Sequence, residues 1–303
     1  MGYELWTSPL TGYRRVGTRV REIRDMFEGS ITVRSIYEPL KACRAGDSAE
    51  EIHRLLVQRG FDVAGVKDDG TDAIRLFIAA ESLRAGGRVS DHAMPIPIHV
   101  LISDSTPLRE IFGILGKQTY AFVLSGTVLA GIVTRADLNK PPARIYIFAL
   151  VSLLEMHLVF WIRKTFGENW TRLLAESRLD LANKLFEERR RNHQELDLCE
   201  CLQICDKADL VLSDEALRVM FVVPSKNAGK RLFKRAQSLR DLLAHGQANL
   251  SEDTTWEKIS STIGWLECAL ARSDTEIEDA AVKAGRHYVE QFWEPDTSCK
   301  MQP

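Results

Sequence analysis

An internal repeat restricts this chain more than any other feature of its sequence. The stretch FDVAGV at 61–66 stands 59 positions before YAFVLS at 120–125, and the same offset sets Ile52 against Ile111 in the helical runs ahead of them. Farther along, after a shorter turn in the second copy, RLFIAAES from Arg75 falls opposite GIVTRADL from Gly131, which makes Ile78 and Glu81 the counterparts of Thr134 and Asp137. Short β-rich runs alternate with short helical patterns, so each copy reads as strand, helix, strand, strand, helix. One unit of this size cannot bury the face of its own sheet, so the two copies must pack on each other.

Strand signals end near Pro141 and Pro142, and helical patterns follow to about Phe292. Two consecutive prolines make a stiff stop. The chain therefore divides into an arm at 1–33, a repeat-bearing domain at 34–142, a helical domain at 143–292 and a tail at 293–303. Its 303 residues, 45% hydrophobic and 27% charged, are those of a soluble globular protein with room for two cores. Forty basic residues against 42 acidic ones leave a formal charge of -2, so any nucleic-acid-binding face must be local. Six cysteines and no secretory leader over 1–10 point to a reducing, cytoplasmic setting without disulfides. The basic arm YRRVGTRVREIRDMF reads as a solvated helix with no assigned role.

The run IYIFALVSLLEMHLVFWI at 145–162 approaches the length of a membrane span, but Glu155 and His157 near its middle make it a buried core helix and exclude a membrane. Its apolarity all round implies that one face meets a second copy of the chain, and Leu154→Glu is then expected to give monomers. In LCECLQIC, Cys201 and Cys205 share a helix face with Cys199 close by, but no fourth ligand stands at a zinc-like spacing, so no metal is expected. No phosphate-binding glycine loop, paired-carboxylate site or nucleophile elbow is present in the sequence.

The residues Gly131, Ile132, Val133, Thr134, Arg135, Ala136 and Asp137 resemble the signature that ends a CBS motif. The two copies joined by VSDHAMPIPIHV resemble a CBS pair over about residues 34–140. In that family the threonine and aspartate positions bind the phosphate and ribose of an adenine nucleotide. The resemblance thus implies ATP, ADP or AMP as a regulatory ligand on Thr134 and Asp137, with Arg135 between them. The chemistry agrees: a hydroxyl at a helix N-terminus joins backbone N–H donors on a phosphate, and a carboxylate accepts from both ribose hydroxyls. Glu81 in the first copy is able to hold a ribose, whereas Ile78 cannot hydrogen-bond a phosphate. Tyr120 and Phe122 are weaker candidates for the adenine pocket, since alternating strand residues are more often core. Thr134 and Asp137 also read as a helix cap and its first-turn acid, which accounts for both without a ligand.

The helical half carries SLRDLLAHGQ at 238–247, the end of a basic amphipathic helix. Leu232, Ala236, Leu239 and Leu243 make its buried stripe; Lys230, Lys234, Asp241 and His245 face away, and Gly246 stands where a left-handed cap would end it. The helix dipole and Asp241, one turn earlier, favour the protonated form of His245. Arg240 points about 140° away from His245 with an axial offset of about 7.5 Å, so the two cannot share a site on one isolated helix. A two-fold axis removes the difficulty, because two such helix ends packed together bring both pairs to one cleft.

Arg240, a polar residue, three more residues and His245, set in an all-α unit, resemble the motif of the HEPN domain. In the nuclease branch of that family the domain dimerises and cleaves RNA without metal. The resemblance implies His245 as general acid or base at the ribose 2′-hydroxyl, leaving a 2′,3′-cyclic phosphate, and Arg240 as the phosphate stabiliser. Asp241 stands where asparagine is commoner, and its charge fits either a slowed enzyme or a non-catalytic scaffold. Lys230, Arg231, Lys234 and Arg235 would track the backbone of the RNA substrate, a tRNA or mRNA. EERRRNH at 187–193 reads as a solvated helix face.

The whole sequence thus reads as an α+β CBS pair of two β-α-β-β-α repeats followed by an all-α HEPN helical bundle. The expected protein is a homodimeric, metal-independent endoribonuclease set by an adenine nucleotide. The alternatives are a nucleotide-sensing protein whose helical domain only dimerises or docks a partner, and a toxin-antitoxin scaffold with no activity of its own.

Overall fold

The computed structural model describes residues 19–68, 70–71, 73–192, 197–244, 249–252 and 254–283. The elements run α1 (Val20–Ser30), β1 (Glu38–Pro39), β2 (Ala42–Arg44), α2 (Ala49–Arg59), β3 (Val63–Lys67), β4 (Ile74–Ala79), β5 (Met94–Pro95), β6 (Leu101–Ser103), α3 (Leu108–Lys117), β7 (Tyr120–Ser125) and β8 (Val128–Thr134). Helices follow: α4 (Pro141–Phe166), α5 (Glu176–Arg191), α6 (Ile204–Ser213), α7 (Glu215–Met220), α8 (Lys226–Ala244) and α9 (Trp256–Lys283). Where the repeat predicts a closing helix, each copy has only a 3-10 stretch, Ala80–Ala85 and Arg135–Asn139. Gly86 and Gly87, at φ 74° and 89°, end the first, and Pro141 disfavours the helical conformation just after the second.

Two four-stranded sheets result, in the orders β2-β3-β4-β5 and β1-β8-β7-β6. Within each copy the first two strands are parallel and the hairpin is antiparallel. The edge strands are exchanged: β1, ahead of the first copy, pairs with β8, and β5, ahead of the second, pairs with β4. The β1 crossing needs Gly131, since a Cβ there would lie 2.5 Å from the Glu38 carbonyl oxygen and 2.2 Å from the Tyr37 ring.

The ladders correct the sequence alignment of the copies. Val63 pairs with Ala79 as Tyr120 pairs with Thr134, and the parallel pairs Ala42–Gly65 and Leu101–Phe122 agree with that register. Val63, not Phe61, is therefore the counterpart of Tyr120, and Ala79, not Ile78, that of Thr134. Ser82 rather than Glu81 then corresponds to Asp137. The constant offset fails after α2, because α3 is one residue shorter and its exit turn is one residue shorter too.

Period-two alternation sorts the strands between three apolar clusters. Ala64, Val66 and Ile78 face α2 on the outside of the first sheet. Val63, Phe77, Val100, Phe122 and Leu129 lie between the sheets. Ala121, Val123 and Val133 face α3, and this third cluster continues without a break into α4, α6, α8 and α9. The change from mixed to all-helical structure does fall at Pro141, but the core runs through it. Pro141 and Pro142 begin α4 rather than stop a domain, as proline at the first helical positions is free to do.

The segment from Pro141 to Leu173 is long and apolar enough to cross a membrane, yet 61% of its most apolar window is buried inside the protein. The described part of the arm, α1, expected to be solvated, instead packs through Val20, Ile23 and Phe27 into the shared core. Its entry is tied to a buried polar group: Asp274 Oδ2 accepts from the Val20 N–H at 2.8 Å, and Asp274 Oδ1 lies 3.5 Å from His157 Nε2. His157 Nδ1 and Trp161 Nε1 both meet the Ser273 hydroxyl, at 2.7 and 2.6 Å.

Two stability effects follow. Val222, which closes α7, has φ 57°, while the Val223 N–H reaches back to the Arg218 carbonyl at 2.8 Å. A β-branched residue in the left-handed region is strained, so Val222→Gly should stabilise the protein by about 1 kcal/mol in urea denaturation. Burial pushes the Asp274 carboxyl up to about 7, against the Val20 N–H and Arg19; Glu278 and Glu22 push it the same way as burial. The folded chain then binds a proton that the unfolded chain has released, so this group's contribution to stability falls as pH rises from about 4 to about 7, by at most about 4 kcal/mol. Asp274→Asn keeps an acceptor for Val20 and should flatten that part of the denaturation-against-pH profile.

Candidate functional site

Strand β1 and the ends of β3, β7 and β8 converge on a cleft of about 600 Å³. One wall is β1 and its link to β2, residues 38–41, and the second is residues 60–63, where α2 leads into β3. Thr119, Tyr120 and the stretch 134–137 complete it. Tyr120 stands opposite Thr134 in the β7–β8 ladder and both line the cleft, to which Phe61 adds a second aromatic ring. Of the residues expected to bind a nucleotide, Tyr120, Thr134, Arg135 and Asp137 are brought together here.

Phe122 and Glu81 are not among the lining residues. Phe122 has no exposed surface and meets Phe77 edge-on at 5.4 Å; it shares one side of β7 with Tyr120, whose ring it also meets at 5.4 Å, but lies deeper between the sheets. Glu81 is exposed and pairs with Arg84 at 3.1 Å. Sequence reading missed Phe61, Asp62 and Lys41, which bring an aromatic ring, a carboxylate and an ammonium to the cleft. Only the true register of β3 against β7 could have signalled them. Burial, and then the Asp62 carboxylate, pushes the Tyr120 phenol above its ordinary range.

Thr134 and Asp137 are already engaged with each other. Asp137, 6% exposed, takes both the Thr134 backbone N–H at 2.7 Å and its hydroxyl at 2.9 Å on Oδ2, which is the cap the sequence allowed as an alternative. Oδ1 lies 2.8 Å from Lys140 Nζ, which also pairs with Glu38. Burial pulls the Lys140 ammonium down, but the two carboxylates together hold it above its ordinary value. The single hydroxyl proton of Thr134 is spent on Asp137, so a phosphate here must take that proton over or rely on other donors.

The turn carrying these residues is bonded into the helical half. Arg135 donates to Leu115 O and Gln118 O through Nε, at 2.8 and 3.2 Å, and to Glu257 at 2.9 Å. Asn139 accepts from the Leu250 N–H at 2.8 Å. Arg144, one turn into α4, donates to the Leu242 carbonyl at 2.8 Å, at the end of α8.

That end of α8 holds the second group of expected residues. Leu239 and Ala236 are buried and Leu232 and Leu243 half-buried, so the stripe faces as the spacing implies. Lys230, Arg231 and Lys234 are exposed and Arg235 half-buried; Lys230 lies 3.9 Å from Asp209. Arg240, its side chain 51% exposed, lies 3.4 Å from both Glu155 of α4 and Asp241. Glu155 also faces Lys207 at 3.8 Å, whose ammonium burial pulls below its ordinary value. Glu155 is thus an unforeseen partner of Arg240. His245 and Gly246 lie outside the described residues, as does His193.

Cys201 ends a 3-10 turn, Leu198–Cys201, and Cys205 lies in α6, so they do not share a helix face. Burial pushes the Cys199 thiol up to about 12. Among the described residues no group of three or more His, Cys, Asp or Glu is placed to hold a metal ion.

Leu154 has no exposed surface and belongs to the chain's own core, whereas Ile145 and Phe148 are 56% and 55% exposed on the same helix. Leu154→Glu should therefore unfold the protein instead of separating subunits, a loss of several kcal/mol visible in melting curves. Phe148→Glu should leave the melting temperature nearly unchanged.

No protein-family model and no curated protein matches the sequence. Solved structures of CBS-domain proteins are similar to part of the chain. The CBS-pair protein CBSX2 from Arabidopsis thaliana is 22% identical, covering 35% of this chain and 90% of its own, with a TM-score of 0.31. CBSX2 in complex with AMP is 24% identical, over 35% of this chain and 92% of its own, with a TM-score of 0.31. The CBS domain of a bacterial CNNM/CorC family Mg2+ transporter in complex with ATP is 17% identical, covering 40% of this chain and 92% of its own, with a TM-score of 0.31.

Proposed function

We propose that residues 34–140 act as a CBS pair whose cleft binds an adenine nucleotide, and that occupancy of the cleft is felt by the helical half of the same chain. One observation carries this reading. The turn 134–139, whose residues 134–137 line the cleft, is hydrogen-bonded to α9 and to the segment leading into α9, and it runs directly into α4, where Arg144 bonds the end of α8. The aromatic edges of Phe61 and Tyr120 suit a base, Asp137 suits ribose hydroxyls, and Lys41 and Arg135 suit phosphate. A ligand shifts the helical half only by binding two arrangements with different affinity, and a coupling of about 1 to 3 kcal/mol changes their ratio about 5- to 150-fold.

A second reading assigns the helical half as the responding enzyme, a metal-independent endoribonuclease working as a dimer. The exposure of Arg240, on the same helix as the exposed Lys230, Arg231 and Lys234, favours it. Glu155 and Asp241 both draw on the Arg240 charge, which favours instead a helical half that docks a partner without cleaving it. Cleavage of RNA in excess EDTA, leaving cyclic phosphate ends and lost in His245→Ala, decides between them.

Titration calorimetry with ATP, ADP and AMP tests the first reading. At least one should bind, and Thr134→Val and Asp137→Asn should weaken it about 10- to 100-fold, the loss expected when hydrogen bonds to a charged ligand are removed. Melting curves on both variants show whether the lost cap has unfolded them. Wild-type protein that binds none of the three overturns the reading.

A further inference from the structure

We propose that Arg135 is a two-position latch, held by Glu257 at the start of α9 in one position and by the anionic part of a ligand in the cleft in the other. The inference rests on the reading of the cleft as a nucleotide site and adds how that site reports to the helices. Arg135 lines the cleft directly after Thr134. Its Nε is anchored on the last carbonyls of α3, Leu115 O at 2.8 Å and Gln118 O at 3.2 Å. The anchor leaves the outer edge of the guanidinium for one carboxylate or one phosphate, and that edge now meets Glu257 Oε1 at 2.9 Å.

The pair is built to be exchanged. Its side chains are 24% and 59% exposed, so water weakens it, while a phosphate offers more charge to the same fork. Glu257 does not depend on the arginine alone: its own backbone N–H and then the Thr255 hydroxyl are the larger causes that hold its carboxyl below the usual range, with Arg135 adding to them. It also sits in the first turn of α9, where the helix dipole favours a negative charge. Loss of Arg135 therefore frees the α9 end without stranding a charge. Just beyond, α3 and α9 touch so closely that a Cβ on Gly116 would lie 2.7 Å from Ser260 Cβ, so the latch spans a junction that is otherwise packed tight.

Calorimetric titrations of ATP and of inorganic pyrophosphate against wild type, Glu257→Gln, Arg135→Gln and the double variant test this. Removing the competitor in Glu257→Gln should tighten both ligands about 3- to 5-fold, and the same change should do nothing in the Arg135→Gln background. A Glu257→Gln protein with unchanged or weaker affinity overturns the latch, as does an equal gain without Arg135, which would report only the loss of a nearby negative charge. If pyrophosphate follows the expected pattern and ATP binds no better than pyrophosphate, the latch stands and the adenine reading fails. If ATP binds and ignores Glu257, the reverse holds, and if neither ligand binds, both fail.

Discussion

The outer face of the second sheet has to be covered, and the way this is done sets most of the structure. Ala121, Val123 and Val133 have no exposed surface, and α3 with its own copy is too small to enclose them. The first sheet solves the same problem locally, with α2 and a small cluster of its own. The second sheet solves it by merging with the helical half, through Leu108, Ile111 and Leu115 of α3 and Ala143, Tyr146 and Ile147 of α4. Two copies of one unit are thereby given different surroundings. The turn after β4 lies outside the merged core, whereas the turn after β8 lies against it.

Helix ends supply the polar side of the same junction. An α-helix leaves its last carbonyls without intrahelical partners, and where such an end is half-buried a side chain must serve them. Arg135 serves the end of α3 and Arg144 the end of α8, while Asn139 takes the N–H of Leu250 ahead of α9. Three side chains within ten residues thus fix two helix ends and the segment ahead of a third helix, and these residues continue directly from Thr134 and Asp137 of the cleft. A movement of the cleft wall and a movement of the helices are consequently hard to separate.

Electrostatics at the end of α8 are set by burial elsewhere. Lys207 has almost no exposed surface, so the nearby Glu155 is its chief compensation, and Glu155 is in turn close to Arg240. An exposed arginine beside an aspartate would ordinarily be read as a solvated pair. Here it belongs to a chain of charges that starts in the core, and its free charge is smaller than the sequence suggests.

The sequence by itself determined that there is a repeat, where helices replace strands and which face of α8 is buried, because these depend on local periodicity. It identified Thr134, Asp137, Arg135 and Tyr120 as neighbours for the same reason, since a hairpin and its following turn keep them within one local unit. Tertiary structure decided the rest. One fewer helical residue and one fewer turn residue in the second copy made Val63 rather than Phe61 the counterpart of Tyr120, and a hairpin two residues shorter then made Ser82 rather than Glu81 the counterpart of Asp137. The roles of Phe61, Glu155 and Glu257 depend on pairs far apart along the chain, and no local pattern carries such distances. Pro141 shows the limit most simply: a proline both ends one element and begins the next, and only the core packed around α4 decided that here it begins a helix without dividing the protein.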